Sequence, residues 1–283
     1  MIMGIQLSPL PERINLYLNS ANRTRGESAS SFEMVMANTL ITADTDEIFF
    51  INVIQFNTFN NFYQVQTGYN TDFEILIYNK DFELHDTIIG TLPEGNLTVN
   101  DILSYLKTLL SSIMDISYDK IKNKFKFTRT SLNANHEYIY LKIINCDSLL
   151  GFSRLKRNIL ILLQHDITLY SEQPINVISI TNFFVHVAGD LYLNDENYDN
   201  HNSSQIDTNN IIFSMAVNKP FNHCLAYNNT DGGNSFYYRL DNERTNINHF
   251  KLEIRDRFNQ IIPQFPDYNI VIQFTKKQEN RYI

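Results

Sequence analysis

The chain has 283 residues, 43% of them hydrophobic, and a formal net charge of −8. That length and apolar content exclude a largely disordered chain and suit one large all-β domain or two smaller ones. The acidic balance argues against nucleic acid or an anionic membrane as general partners, because both favour a basic face.

The two cysteines, Cys146 and Cys224, build neither a disulfide framework nor a cysteine-based zinc site. Such sparse usage fits folding in a reducing compartment. Buried free thiols are the expected state, with a single Cys146–Cys224 bridge left open as the alternative. Met1–Leu10 lacks a basic region followed by a long apolar stretch, so no signal peptide is expected. The longest apolar run, Ile159–Leu163, is too short to cross a bilayer. Four glycosylation sequons, beginning at Asn22, Asn96, Asn202 and Asn228, are expected by chance in so Asn-rich a chain. Asn makes up roughly one residue in eight, well above ordinary usage, and supplies turn residues that tolerate positive φ. The joint rise of Asn, Ile, Lys, Tyr and Phe is equally what an A/T-rich coding genome gives.

Taken in chain order, Met1–Glu12 carries Pro9 and Pro11 and reads as an extended arm, free or docked on a neighbour. Arg13–Asn19 (RINLYLN) reads as a strand, Asn22–Ser31 as a polar loop and Phe32–Met36 as a second strand. Glu47–Phe56 reads as a strand buried on both faces. Phe62–Gln66 continues extended, and Phe73–Tyr78 (FEILIY) forms another strand. The character then changes. Thr98 with Asp101 three residues on approximates a capping box. Ile102, Leu106, Leu109, Leu110 and Ile113 recur at helical spacing, which predicts a helix over Thr98–Met114. Ser117–Thr128 (SYDKIKNKFKFT) predicts a hairpin turning at Lys122–Lys124, and Tyr138–Ile144 another strand.

After Pro174 the strand rhythm resumes with Ile175–Val187 (INVISITNFFVHV) and Ile211–Val217. The polar stretch Tyr192–Asn210 between them reads as a long surface loop. Thr230–Asn234 (TDGGN) predicts a hairpin turn between strands at Cys224–Tyr227 and Phe236–Leu240. Asn246–Arg255 and Asn269–Phe274 follow, before a charged tail at Gln278–Ile283. The rhythm is that of a sandwich or barrel interrupted by an α+β unit, with no repeat of fixed period.

No motif for nucleophilic, zinc-dependent or nucleotide chemistry is present. Asp195–Asp199 fails as an EF-hand loop, lacking the Gly and Glu that the loop needs. A looser calcium site from Asp195, Asp199 and Asp207 is a weaker reading. The seven histidines are scattered. His186, four residues before Asp190, falls opposite Val185 and Val187 by alternation and reads as a strand-surface or interface residue. No catalytic, cofactor-binding or metal-ligating residue is assigned. The basic stretches Arg154–Arg157 and Lys120–Lys126 read as solvated faces. The chain has 20 Phe and 16 Tyr but no Trp, the common stacking platform of carbohydrate clefts. Pairs such as Phe49-Phe50, Phe183-Phe184 and Tyr237-Tyr238 put one ring on each face of a strand. One joins the core. The other meets a second layer, a partner or solvent.

In order along the chain, several segments resemble the penton, or vertex capsid, proteins of virophages and Maverick/Polinton-type viruses. They are Ile14–Ser20 (INLYLNS), Asn22-Arg23, Ser31-Phe32, Phe59–Tyr63 (FNNFY), Leu92–Leu106 (LPEGNLTVNDILSYL), Asn123–Phe127 (NKFKF), Ser148–Phe152 (SLLGF), Ile247–Phe250 (INHF) and Asp267–Phe274 (DYNIVIQF). The resemblance implies a mainly β protein. A single jelly-roll β-sandwich, residues 1–78 and 166–283 with an N-terminal arm 1–12, would carry an α+β insertion domain over 79–165. It implies a virion structural protein at the capsid vertex, not an enzyme and without cofactors. Assembly would begin in the host cytoplasm, as a homopentamer at the five-folds of an icosahedral capsid. Its partners would be trimers of a double jelly-roll major capsid protein and, through the insertion, a host receptor, with no nucleic acid and no membrane span. The alternative from another class is a β-sandwich attachment, fibre or carbohydrate-binding module. A sandwich-fold hydrolase has no positive feature in its favour.

Overall fold

The computed structural model describes residues 12–35, 41–42, 47–129, 138–153, 158–162, 168–178, 180–191, 210–229, 238–240 and 246–278. The chain is mainly β, with several antiparallel sheets, and divides into two compact units. One comprises residues 1–62 and 181–283, the other residues 63–180.

In the first unit the strands are β1 (Glu12–Asn19), β2 (Arg25–Ser28), β3 (Ser31–Val35), β4 (Ile41–Thr42) and β5 (Glu47–Phe59). The second unit holds β6 (Asp72–Tyr78), β7 (Leu84–Thr91), α1 (Val99–Leu110), β8 (Met114–Asp119), β9 (Lys124–Arg129), β10 (Tyr138–Ile143), α2 (Asp147–Leu150), β11 (Asn158–Leu162) and β12 (Thr168–Tyr170). The chain then returns to the first unit with β13 (Asn182–Gly189), β14 (Ile211–Ala216), β15 (Cys224–Asn228), β16 (Tyr238–Arg239), β17 (Asn246–Ile247), β18 (His249–Arg255) and β19 (Tyr268–Gln278).

Two five-stranded sheets build the first unit, beside a two-stranded pair of β4 and β17. One runs β1-β19-β5-β15, with β16 also on β5, and the other β14-β13-β18-β3-β2. Numbering the eight main strands along the chain, the first sheet reads 1-8-3-6 and the second 2-7-4-5. Rings from both sheets meet between them. Phe56 of β5 lies 5.3 Å from Phe183 of β13, 5.3 Å from Phe213 of β14 and 5.0 Å from Tyr268 of β19. Phe265 stands 4.9 Å from Phe183. These separations fall in the range where ring pairs add to the hydrophobic term.

Phe56 reaches this position through a bulge. Ile272 pairs with Val53 but Val271 pairs with Gln55, so Ile54 is the extra residue. Before it Phe49, Ile51 and Val53 are buried; after it Phe56 and Thr58 are. A regular strand would have kept the odd residues inside throughout.

In the second unit, β11-β10-β6-β7 form one sheet and β12-β9-β8 another. Alternation places Phe73, Ile75 and Ile77 of β6 and Ile139, Leu141 and Ile143 of β10 in one core. Ile102, Leu106 and Leu110 of α1 and Phe125 and Phe127 of β9 complete it. The capping box forms as expected. Thr98 Oγ1 accepts from the Asp101 amide, and Asp101 Oδ2 accepts from the Thr98 amide at 2.8 Å. Gly151 caps α2 at φ 74, where an added Cβ would lie 2.5 Å from the Gln173 carbonyl.

Several expectations shift. The helix ends at Leu110, not Met114, because the Ile113 amide closes a turn on the Leu110 carbonyl and Met114 starts β8. The two compact units adjoin along the chain at 62/63 and 180/181. The cause is pairing: β6 hydrogen-bonds β10, and β12 hydrogen-bonds β9, so both belong to the inner unit. The run Ile175–Val187 is not one strand. Ile175 joins the core of the second unit, and β13 begins at Asn182 in the first. Phe62–Gln66 contributes only an isolated bridge from Val65 to Gly95. The strands flanking 230–234 do not pair with each other. Asn228 pairs with Gln55 and Tyr238 with Ile51, so β15 and β16 lie in line along β5. The N-terminal arm to residue 11, the Thr230–Asn234 turn and the polar stretch 192–209 lie outside the described residues.

Two substitutions test this packing. A Cβ on Gly90 would sit 2.2 Å from the Phe73 ring, so Gly90→Ala is expected to destabilise by about 1–3 kcal/mol in denaturant melts. The Tyr268 hydroxyl is buried with no hydrogen-bond partner among the described residues, so Tyr268→Phe is expected to stabilise by about 1 kcal/mol.

Candidate functional site

The residues singled out for chemistry come to structural posts. Asp190 Oδ2 accepts from the amides of Asn248 at 3.0 Å and His249 at 2.8 Å, a turn-fixing role. His186 is buried on β13 beside Glu253 of β18. A ring nitrogen of His223 lies 3.1 Å from the Phe221 carbonyl oxygen. Among the described residues no group of three His, Cys, Asp or Glu could hold a metal ion. Asp195, Asp199, Asp207 and Arg154–Arg157 lie outside them. Both cysteines are free. Cys146 is buried, and burial pushes its thiol pKa up. Cys224 is exposed, which corrects the expectation that both would be buried, because β15 turns it away from the core opposite exposed Phe59. Among the described residues, no helix is long and apolar enough to cross a membrane.

What remains is surface. The outer face of the second sandwich sheet carries a charged network. Lys251 Nζ lies 2.6 Å from Glu253 Oε1, and Arg255 donates from Nε to Oε2 at 2.8 Å and from Nη2 to the same oxygen. Ser31 Oγ donates to Oε1 at 3.3 Å. Burial alone would raise the Glu253 pKa, but the hydrogen bonds and charges of Lys251 and Arg255 outweigh it and hold the carboxyl below its ordinary range. The outer face of the first sheet is instead rich in amides. Asn15, Gln273 and Asn52 lie in one row, and Gln273 Nε2 donates to Asn15 Oδ1 at 3.1 Å. Tyr17 and Phe59 stand exposed on that face. Two of the doublets divide as expected: Phe49 and Phe183 are buried, while Phe50 and Phe184 are half-buried on the outer faces; Tyr237 of the third lies outside the described residues.

The second unit has two contrasting ends. At the end of β6 the chain turns through Asn79–Glu83. Asn79 Oδ1 accepts from the amides of Asp81 and Glu83, each at 2.9 Å. Phe82 is held at φ 59, unusual for a bulky side chain, and its ring stacks on Tyr138 at 4.1 Å. Leu84 beside it is exposed. The other end lies where β6 begins. There the Asp72 carbonyl accepts from Ile144, the Ser148 carbonyl from Asn176, and the Asn123 carbonyl from Ile175. These bonds bring the β8–β9 hairpin to that end. Its turn carries Lys120, Ile121 and Lys122, with Lys122 lying 4.0 Å over the Tyr170 ring.

No family model matches the chain, and no curated protein matches it. Its structure is similar to that of a penton protein. That neighbour is the mavirus penton protein, known from a crystal structure of its selenomethionine form. The likeness covers 94% of this chain and 99% of that one, at 16% identity and a TM-score of 0.42.

The charged network predicts a pH dependence. A carboxyl with a depressed pKa stabilises the fold above its unfolded pKa, and the effect is lost as pH falls through the folded one. Glu253→Gln is expected to cost about 1–3 kcal/mol at neutral pH. The gap from the parent should close as pH drops below the ordinary carboxylate value of 4.5, which paired denaturant melts across pH would reveal.

Proposed function

We propose that the chain is a virion structural protein, a single jelly-roll penton whose five copies close the five-fold vertex of an icosahedral capsid. The observation that carries this reading is strand order. Two antiparallel sheets reading 1-8-3-6 and 2-7-4-5 correspond to two Greek keys folded together, an architecture shared by viral capsid and lectin domains. The segments that resemble virophage pentons, from Ile14–Ser20 to Asp267–Phe274, favour the capsid branch of that pair.

The second unit enters the chain between β5 and β13, the third and fourth sandwich strands, as an insertion would. The mechanism on this reading is assembly. One surface of a copy meets a different surface of the next, and the rotation closes at five. Trimers of a major capsid protein would then surround the ring.

Light scattering on the purified chain across a concentration series tests the reading. A species of about five times 33.1 kDa is expected, and negative-stain images should show five-membered rings. A stable trimer that binds glycans would instead assign an attachment protein.

A further inference from the structure

The two ends of the second unit carry exposed apolar side chains that a free surface does not require. At the β6–β7 turn Phe82 is 59% exposed, beside exposed Leu84. At the β8–β9 turn Ile121 is 98% exposed, and Ile178, just beyond the residues that bond the hairpin, is exposed as well. The charges around these apolar groups are opposite in sign. Residues 79–86 hold Asp81, Glu83 and Asp86 against Lys80. Residues 119–126 hold Lys120, Lys122, Lys124 and Lys126 against Asp119. The Asp119 carboxylate accepts from the amides of Ile121 and Lys122 and lies 3.9 Å from Lys122 Nζ. Lys124 Nζ donates to the Glu172 carbonyl, which leaves Lys120 and Lys126 to carry the excess positive charge of this end. The seven residues of β6 separate the two ends by about 20 Å.

We propose that these ends dock on each other between neighbouring copies. The acidic Phe82 turn of one chain would meet the basic Ile121 hairpin of the next. The occupant is a second copy because this chain carries both halves of a complementary pair. The halves lie at opposite ends of one unit, so one chain cannot satisfy itself. Such a contact is heterologous, head to tail, the kind that generates rings. Apolar tips supply the buried centre and the charges form the rim, steering approach and rejecting the wrong pairing of like ends. The left-handed backbone at Phe82 fits this role. A Gly or Asn would relieve the strain at that position, but neither offers a ring to insert. The inference rests on the reading that copies of the chain assemble in a closed ring, and it names one contact of that ring.

The test uses charge reversal in the full chain. Asp81→Lys with Asp86→Lys makes both ends basic, and Lys120→Glu with Lys122→Glu makes both acidic. Each variant alone is expected to self-associate at least about tenfold more weakly than the parent. An equimolar mixture of the two should associate again, as open or even-numbered assemblies, because opposite ends are restored across chains but two variants cannot alternate around a ring of five. Parent association should weaken between 0.1 M and 1 M salt as the Debye length falls from about 10 to about 3 Å. Phe82→Gly exchanges the Tyr138 stack for relief of the left-handed backbone strain, so it should stay folded in denaturant melts and still associate more weakly, which separates docking from folding. Either charge variant assembling like the parent, or a mixture that stays unassociated, overturns the proposal. If the parent forms pentamers that ignore both reversals, the penton reading stands and this contact falls. A parent that is monomeric at every concentration overturns both.

Discussion

Everything in the sandwich unit depends on getting Phe56 between the sheets. It packs against rings from β13, β14 and β19, so one side chain of β5 ties together strands far apart in sequence. That contact exists only because Ile54 is an extra residue in the ladder. Without the bulge, Phe56 and Thr58 would point outward and Gln55 and Asn57 inward, burying two amides where rings now pack. An uncompensated buried amide costs more than a ring gains by burial, so the register is effectively fixed.

The same logic separates inside from outside. Glu253 and Lys251 alternate with Leu252 and Ile254 along β18, and the outward pair is drawn into a network with Arg255 and Ser31. The neighbouring sheet solves its outer face differently, with amides that donate and accept along the row from Asn15 to Gln273. A face of amides repels no partner electrostatically, whereas a face of fixed charges selects among them. The two outer faces are therefore chemically distinct.

The second unit is held by its own core, which joins α1 to strands of both its sheets. Its hairpin ends are exposed, with opposite charge and apolar tips. The Asn79 turn shows how local chemistry fixes such an end. One side-chain oxygen accepts two amides, and the stack on Tyr138 holds Phe82 in a backbone region that large residues avoid.

The sequence by itself determined several of the strands, though not Arg25–Ser28 or Leu84–Thr91, and which face each residue takes within a regular stretch. Phe73–Tyr78, Tyr138–Ile144, Ser117–Thr128 and the capped helix start at Thr98 were legible because period and capping are local. The jelly-roll character and vertex role rested on a resemblance of segments in order, not on any local pattern. Only the tertiary structure decided where one unit ends. Asp72–Tyr78 pairs with Tyr138–Ile143, and Ile175 and Phe183, in one apolar run, belong to different cores. It also decided that β15 and β16 share the edge of β5 rather than forming a hairpin, and that the lysines of the Ser117–Thr128 hairpin lie at the opposite end of their unit from Phe82. Alternation records which residues are apolar, but pairing between distant segments is settled by ladder register and shared burial. Neither is written in any one stretch of the chain.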